Sequence, residues 1–430
     1  MTQLDIIRLF ALVLSISLFV FGIYKPFLMP LSYITCFFFK LPHYYPFLTE
    51  YRYEFIIIVA GTIRTLVGKN VFSRLNMRSN KYLFIFLFTV FISYIFAWDK
   101  AYSWENTLYD FGGNILLYFM ILCSINSEKE LKLFVWLFMI IYTFMSWEPV
   151  YYYLTGREWV EEYGVLVRAE VGLLEGHRGL ANTMNQIIPI SFFLIFTVKN
   201  KMKKIMAGIP LFIFITALIL GKARIGVVGF ILFVMLLIYY SEKRSKYMII
   251  GGSVIICLLL FSAGFSSTFS RIDMSNLKES PTAGLFHGIE MVLKGNIFGV
   301  GPGCYPLARK YYFTYSLHAH SLYGELIGDL GIPGTMAFIL FIGNIFYNIK
   351  YSIINLKTEI ANNSFMLKLL LGLQISLIVR LFIGLASHSL YIFYWYVVAA
   401  LSIVVYDLSN KQKDNINTIF IKNYNYVKLT

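Results

Sequence analysis

A chain of 430 residues is long enough for two or three soluble domains, but 58% of it is hydrophobic and only 14% charged, with a mean hydropathy of +0.68. Soluble domains carry about 25% charged residues, so this chain lacks the polar surface to cover a water-soluble particle. The excess of 37 Lys and Arg over 23 Asp and Glu is therefore first a question of which side of a membrane the charge falls on.

The apolar blocks predict an all-α, polytopic transmembrane bundle. A spanning helix needs about 20 mostly apolar residues, because in hydrocarbon its backbone groups must be satisfied within the segment. In chain order, candidates fall near 6–23, 54–68, 82–97, 110–126, 131–153, 183–198, 205–221, 225–240, 247–264, 332–348, 366–386 and 389–407, about twelve in all. The first block is followed by FGIYKP rather than a small-residue cleavage site, so it reads as a retained span. FLMPLSYITCFFFK (27–40) is short and flanked by proline. The expected organisation is N-terminal spans over 1–264, an extracytoplasmic loop with short helices over 265–331, C-terminal spans over 332–407 and a cytoplasmic tail over 408–430.

Loop charge orients the bundle. Segment 68–81 carries Lys69, Arg74, Arg78 and Lys81 without an acid, KNKMKK (199–204) has four lysines, and 241–247, 348–368 and the tail from Lys411 are basic. The alternate loops are acidic or mixed: AWDKAYSWENTLYD (97–110), and 157–178 with Glu158, Glu161, Glu162, Glu170 and Glu175. The basic loops read as cytoplasmic. From residue 82 onward the alternation has no exception, and parity then asks for an even number of earlier crossings, which places 27–40 in the interface rather than across it. The net charge of +14 becomes a topogenic signal, and nucleic acid drops out as a partner.

Of four cysteines, Cys36, Cys123 and Cys257 lie in or beside apolar segments and Cys304 alone falls in an extracytoplasmic loop. No intrachain disulfide is expected, and no Cys/His spacing suits zinc. Five of the six histidines, His177, His287, His318, His320 and His388, fall on the extracytoplasmic side. The 265–331 segment there holds NIFGVGPGCYP, then ARKYYFTYS, then LHAHSLYGELIGDLGIPG. The last piece reads as a helix start: His318 and His320 at its entrance, Ser321 as cap, Glu325 and Asp329 on one face at i,i+4, and Gly331–Pro333 as its stop. GVGPG lacks the Lys-Ser/Thr of a P-loop and lies on the wrong side for ATP, so it reads as a turn.

Several arginines stand near hydrocarbon, where a cation is expensive without a partner. Arg224 sits in LILGKARIGVVGF between Gly221 and Gly226. Arg168 and Arg178 flank VGLLEGH, and Arg380 lies in LQISLIVRLFIGLASHS, about 12 Å of helix rise from His388. The plain alternatives are snorkelling or ion pairs with Glu170 and Glu175, and for the His pair a solvent-facing helix cap. Arginines at one leaflet suit a diphosphate, which they grip bidentately.

At these residues the chain resembles the O-antigen ligase/polymerase superfamily of bacterial membrane glycosyltransferases, and within it the exosortase-associated O-glycosylation ligases. HAHSLYGELIGDLGIPGTMAFILF is similar to the family's His-led helix ending in Gly-Ile-x-Gly before a span. NIFGVGPGCY is similar to its Gly-x-Gly segment, GKARIGVVGF to its Ser-Arg-Gly span opening, and EGHRGLANTMNQIIPISFFL and PFLMPLSYITCFFFKLPHYYPF to earlier pieces. Asn296 and Ala223 depart from the family's Pro and Ser. GLFHGIEM (284–291) replaces a segment that normally carries an Arg, for which His287 and Arg309 are the substitutes at hand. Ser321 for Asn fits the exosortase-associated branch.

The resemblance implies transfer of a glycan from an undecaprenyl-diphosphate-linked donor to a hydroxyl of a glycan, lipid or protein acceptor, at the periplasmic or exterior face of the cytoplasmic membrane. It implies no cofactor, nucleotide sugar or metal. His320 is the implied general base, Arg224 and Arg168 hold the diphosphate, and Arg178 and His318 are secondary donor contacts. A repeat-unit polymerase of the same superfamily shares these motifs. A lipid-linked glycan transporter is the alternative of another class, with Arg380 in its favour and no internal repeat to support it; a non-enzymatic scaffold is the third.

Overall fold

The computed structural model describes the chain except residues 1–2, 68–73, 76, 156–175, 222, 241–245, 249, 253, 256–280, 358–364 and 428–430. The main helices are α1 (Gln3–Tyr24), α2 (Met29–Phe38), α3 (Tyr53–Leu66), α4 (Arg78–Ile95), α5 (Tyr109–Ser124), α6 (Glu128–Thr155), α7 (Gly176–Ile195), α8 (Lys201–Leu220), α9 (Arg224–Tyr240), α10 (Pro281–Leu293), α11 (Tyr305–Phe313), α12 (Leu322–Lys357), α13 (Phe365–Ile383) and α14 (Phe393–Val427). Among the described residues there is no strand. Among the described residues, seven helical segments are long and apolar enough to cross a bilayer: in α1, in α5 with its lead-in from Lys100, and in α6, α8, α12, α13 and α14. Shorter apolar helices occupy Pro26–Phe38, Gly179–Ile195, Arg224–Tyr240 and Thr282–Leu293. The chain is an all-helical membrane protein. The span expected near 247–264 lies mostly outside the described residues.

α14 is the central helix. Its first half, Phe393–Tyr406, is nearly all apolar, as the enclosed part of a helix must be, and 89% of its spanning window is buried against 28% for α1 and α8. Trp395 and Tyr396 pack on Phe338 and Phe341 of α12. The outward faces carry Phe88 and Phe91 on α4 and Met336 and Ile339 on α12, each about three-fifths exposed, which fits helices whose solvent is lipid.

The first three helices differ from the expected parity. Arg8, near the start of α1, pairs with Glu148 near the end of α6 at 3.6 Å and lies over the Tyr44 ring at 3.7 Å. At the other end, Arg64 Nε donates to the Ile23 carbonyl at 2.7 Å. So α1 and α3 run the same way and the chain returns between them through α2. This return is packed inside the bundle: Met29–Phe38 is buried almost throughout, with Phe38 against Tyr142 and Phe393. Ser15 and Ser32 donate to each other's carbonyls at 3.1 and 2.8 Å, a polar clasp of the kind that joins helices in lipid. Loop charge could not reveal the return, because the turns near Lys25 and over 40–52 carry almost balanced charge.

At the basic end, the buried Arg74 donates to the carbonyls of Leu122 and Ile125 at 2.7 and 2.5 Å and to Asp407 Oδ2 at 3.0 Å. It thereby satisfies the C-terminal carbonyls of α5, which helix geometry leaves unpaired, and ties them to α14. The histidines gather at the opposite end of the bundle.

Candidate functional site

The site is organised by the first turns of α12. Ser321 accepts from the Gly324 amide at a long 3.4 Å, so the expected cap is present but weak. Gly331–Pro333 does not stop the helix; it kinks it. Gly331 adopts φ 64°, ψ −161° and the helix resumes to Lys357. Pro333 then stands in the first turn of the lower half, where its missing N–H costs nothing, and the Ile332 amide is taken up by the Ile297 carbonyl at 3.0 Å.

Glu325 and Asp329, one turn apart, each hold a separate piece of chain. Glu325 Oε2 accepts from the amides of Ser389 and Leu390 at 2.8 and 2.9 Å. Asp329 accepts from the amides of Gly303 and Tyr305 at 2.8 and 2.9 Å, and from the Tyr391 hydroxyl at 3.0 Å. The glycine-rich turn therefore does cradle an acidic group, but an internal one, the Asp329 carboxyl. Gly299, Gly301 and Gly303 all have positive φ, and the last of these turns its amide onto the Asp329 carboxylate. Burial raises the pKa of the Tyr391 phenol, which keeps it protonated as the donor.

These two carboxylates bring the segment after α13 against the loop before α12. His388 stacks on His318 with ring centroids 4.8 Å apart and planes 8° from parallel; His320, in a left-handed conformation at φ 48°, lies 5.5 Å from His388. His318 and His388 line a cavity of about 400 Å³, together with Asp110, Glu325, Asp329 and Tyr391. His320 does not line it. The His318 ring is accessible from the cavity, yet the surrounding protein lowers its pKa by desolvation, so it stays neutral and able to accept a proton near pH 7.

Arg309 does not face this cavity. It is fully buried, lies over the Tyr315 ring at 4.7 Å and donates to the His318 carbonyl at 2.8 Å, which fixes the backbone that presents His318. His287 stacks on Phe313 at 3.9 Å, part of an aromatic wall. Its pKa is lowered by burial and then by the neighbouring Arg309. Neither residue lines the cavity.

Arg224 begins α9 and is exposed. Gly226, two residues on, packs on Ala181 of α7, and Asn185 donates to its carbonyl at 2.9 Å. Asn182, on the same helix, donates to Ser387 beside His388 at 2.8 Å. Arg178 lies in the first turn of α7, where only the backbone is described, and one turn before Asn182. Arg178, Arg224 and His388 thus share one end of the bundle, and Arg224 does not line the cavity. Arg168 lies outside the described residues. Arg380 is buried, with Nε and Nη1 lacking a hydrogen-bond partner, and its guanidinium is 5.9 Å from the Trp395 ring.

Sequence reasoning counted His388 among the histidines of this side but gave it no role, and it named Glu325 and Asp329 only as a polar face. One signal was there for His388: a polar SHS run closing a span on the side that carries the other histidines. Asp110, nearly three hundred residues from His388 in sequence, gave none. Cys36, Cys123 and Cys304 are buried and free, and burial pushes the Cys304 thiol up to about 11, where it is inert. Among the described residues no group of three or more His, Cys, Asp or Glu is placed to hold a metal ion. The chain matches no protein-family model and no curated protein sequence.

Proposed function

We propose that this protein is an O-antigen ligase-like glycosyltransferase, moving a glycan from a polyprenyl-diphosphate-linked donor, undecaprenyl diphosphate by resemblance, to an acceptor hydroxyl on the extracytoplasmic face of the cytoplasmic membrane. The observation that carries it is the stacked His318–His388 pair on a cavity at the end of the bundle away from the basic loops. Seven helices long and apolar enough to cross a bilayer, with shorter apolar helices among them, suit a lipid-linked donor, and in this reading positive-inside sorting puts the histidine end outside.

In this reading an acceptor hydroxyl enters the cavity and gives its proton to a neutral imidazole of the cluster as its oxygen bonds to the anomeric carbon. The bond from that carbon to the diphosphate oxygen breaks, and the lipid diphosphate leaves with the electron pair. General-base help of this kind contributes about 10²–10⁴-fold. His318 and His388 are the cavity-facing candidates, and His320, the base implied by the resemblance, adjoins His388. Arg224 and Arg178, with Arg168 on the segment before α7, neutralise charge on the leaving diphosphate. A repeat-unit polymerase uses the same site with a glycan acceptor.

A transporter is the second reading, and the buried Arg380 with two unpartnered nitrogens favours it, because intramembrane cations mark substrate paths. Glycan profiling separates the two. In a strain whose native copy is replaced by His318→Ala, His388→Ala or Arg224→Ala, the transferase reading expects acceptor glycosylation to fall and the lipid-linked donor to accumulate. Full transfer by all three variants rules the site out.

A further inference from the structure

The segment from α10 to α11 was expected to lie wholly outside the membrane, but its contacts set it at a definite height among the spans. Ser93 of α4 donates to the Asp329 carbonyl at 2.6 Å, and the rise along α4 from the basic Arg78 to Ser93 is about 22 Å. Tyr323 donates to the Leu381 carbonyl at 2.9 Å, about 24 Å of rise from the start of α13. With a hydrocarbon core of about 30 Å, Tyr323 stands near the site-side boundary, and Gly331 lies about 12 Å deeper along the helix.

α10 descends beside this upper part of α12. Its Gly284 packs on the Ala319 carbonyl and its Gly288 on the Gly324 carbonyl, and Met291 reaches Gly328. The tip, Leu293 to Phe298, is therefore level with Gly328–Ile332. Leu293 is 80% exposed, Ile297 53% and Phe298 40%. Phe298 stacks on Phe96 at the end of α4, with centroids 5.0 Å apart. Phe91 on α4 and Ile332 and Met336 on α12 are exposed as well.

The returning segment is built for such a place. Irregular backbone at membrane depth requires its polar groups to be satisfied within the protein. The amides of Asn296, Gly299, Val300, Gly301 and Cys304 donate to the carbonyls of Met291, Asn296, Gly328, Asp329 and Gly301, and those of Gly303 and Tyr305 to the Asp329 carboxylate. The one cation at the tip, Lys294, pairs with Glu290 at 2.9 Å and lies 4.6 Å from the Tyr312 ring centroid. That bends it back toward the aromatic group of Trp98, Tyr311 and Tyr312, the residue types that settle at headgroup level.

We propose that residues 281–305 form a re-entrant helix and loop that dips into the leaflet on the site side, with Leu293, Ile297 and Phe298 against lipid acyl chains. The cavity floor made by Gly303, Tyr305 and Asp329 then lies below the headgroups, so the site is open to a ligand carried in the leaflet. The placement of the hairpin holds independently of the proposed glycosyl transfer, and a failure of either leaves the other standing.

Spin labels on Leu293→Cys and Ile297→Cys in lipid nanodiscs read the depth directly, with Met336→Cys as the lipid standard, Lys310→Cys as the aqueous standard and unsubstituted protein as background. Relaxation by oxygen over a water-soluble nickel chelate, matching Met336→Cys, is the expected result at both positions. Relaxation by the nickel chelate at the level of Lys310→Cys overturns the proposal and makes the segment an extramembrane cap. Native protein photolabelled by a lipid bearing a diazirine on its acyl chain needs no variant. Adducts on the peptide holding Leu293–Phe298 support the proposal; labelling around Met336 without them overturns it.

Discussion

The Asp329 carboxylate accepts from the Gly303 amide at 2.8 Å while its other oxygen accepts from the Tyr305 amide at 2.9 Å. One side chain on α12 thus fixes the glycine-rich turn, and through Tyr391 it fixes the segment that carries His388. The cavity has its shape because two carboxylates, Glu325 and Asp329, are committed to backbone rather than left to ligand.

Asp329→Ala leaves two amides and a phenol without their acceptor in a buried place. Each orphaned group costs about 1–3 kcal/mol, so the variant is expected to lose several kcal/mol of stability, seen as a lower melting temperature in detergent. Asp329→Asn is expected to recover little, since its NH₂ faces a second donor. Tyr391→Phe removes a single hydrogen bond and is expected to cost about 1–2 kcal/mol.

His388→Ala removes the ring that stacks on His318 and faces the cavity. Acceptor glycosylation is expected to drop by about 10²-fold or more, with melting unchanged within about 1 kcal/mol because the ring is exposed. A parallel assay of His318→Ala and His320→Ala ranks the three imidazoles, with His320→Ala expected to be the mildest.

The pH dependence follows from His318. Its folded pKa lies below the ordinary 6.5 because burial penalises the imidazolium. As pH falls through 6.5 the unfolded chain takes up a proton before the folded one does, so this residue costs stability on the acid side, and its contribution levels off below the folded pKa. Activity that needs the neutral ring is expected to persist at pH 6.5 and to fall at lower pH. Melting temperature against pH for wild type and His318→Asn checks the stability part: the acid-side decline is expected to be shallower in the variant.

Gly331→Ala tests the kink. A Cβ there would stand 2.0 Å from the Ile297 carbonyl oxygen, at φ +64°, so the loop or the helix has to move. A loss of at least about 1–3 kcal/mol is expected in thermal unfolding, against little change for Gly343→Ala, which opens onto free space.

The Arg8 end of α1 lies with Glu148 and Tyr44, on the histidine side of the bundle. A cysteine at Gln3 is expected to react with a membrane-impermeant maleimide from the same side as one at Lys310, whereas an even number of crossings before α4 puts it on the opposite side.

The helix of His318, Glu325 and Asp329 was legible in the sequence because its residues lie within one local pattern of cap, face and breaker. Its continuation past Gly331 was not, since only the Ile297 carbonyl shows that the broken backbone is satisfied. The Arg74–Asp407 tie joins residues 333 positions apart, and His388 meets His318 through a turn between two spans; no periodicity records such meetings. Loop charge ordered the helices from α4 onward but had too little charge to work with around α2.

The most direct measurement supplies purified protein in nanodiscs with a polyprenyl-diphosphate-linked glycan and a hydroxyl acceptor, and follows glycosylated acceptor and released lipid diphosphate. The account predicts equal yields of both from the wild type and a loss of both in His388→Ala. Movement of the lipid-linked glycan across the bilayer with neither product formed would contradict it.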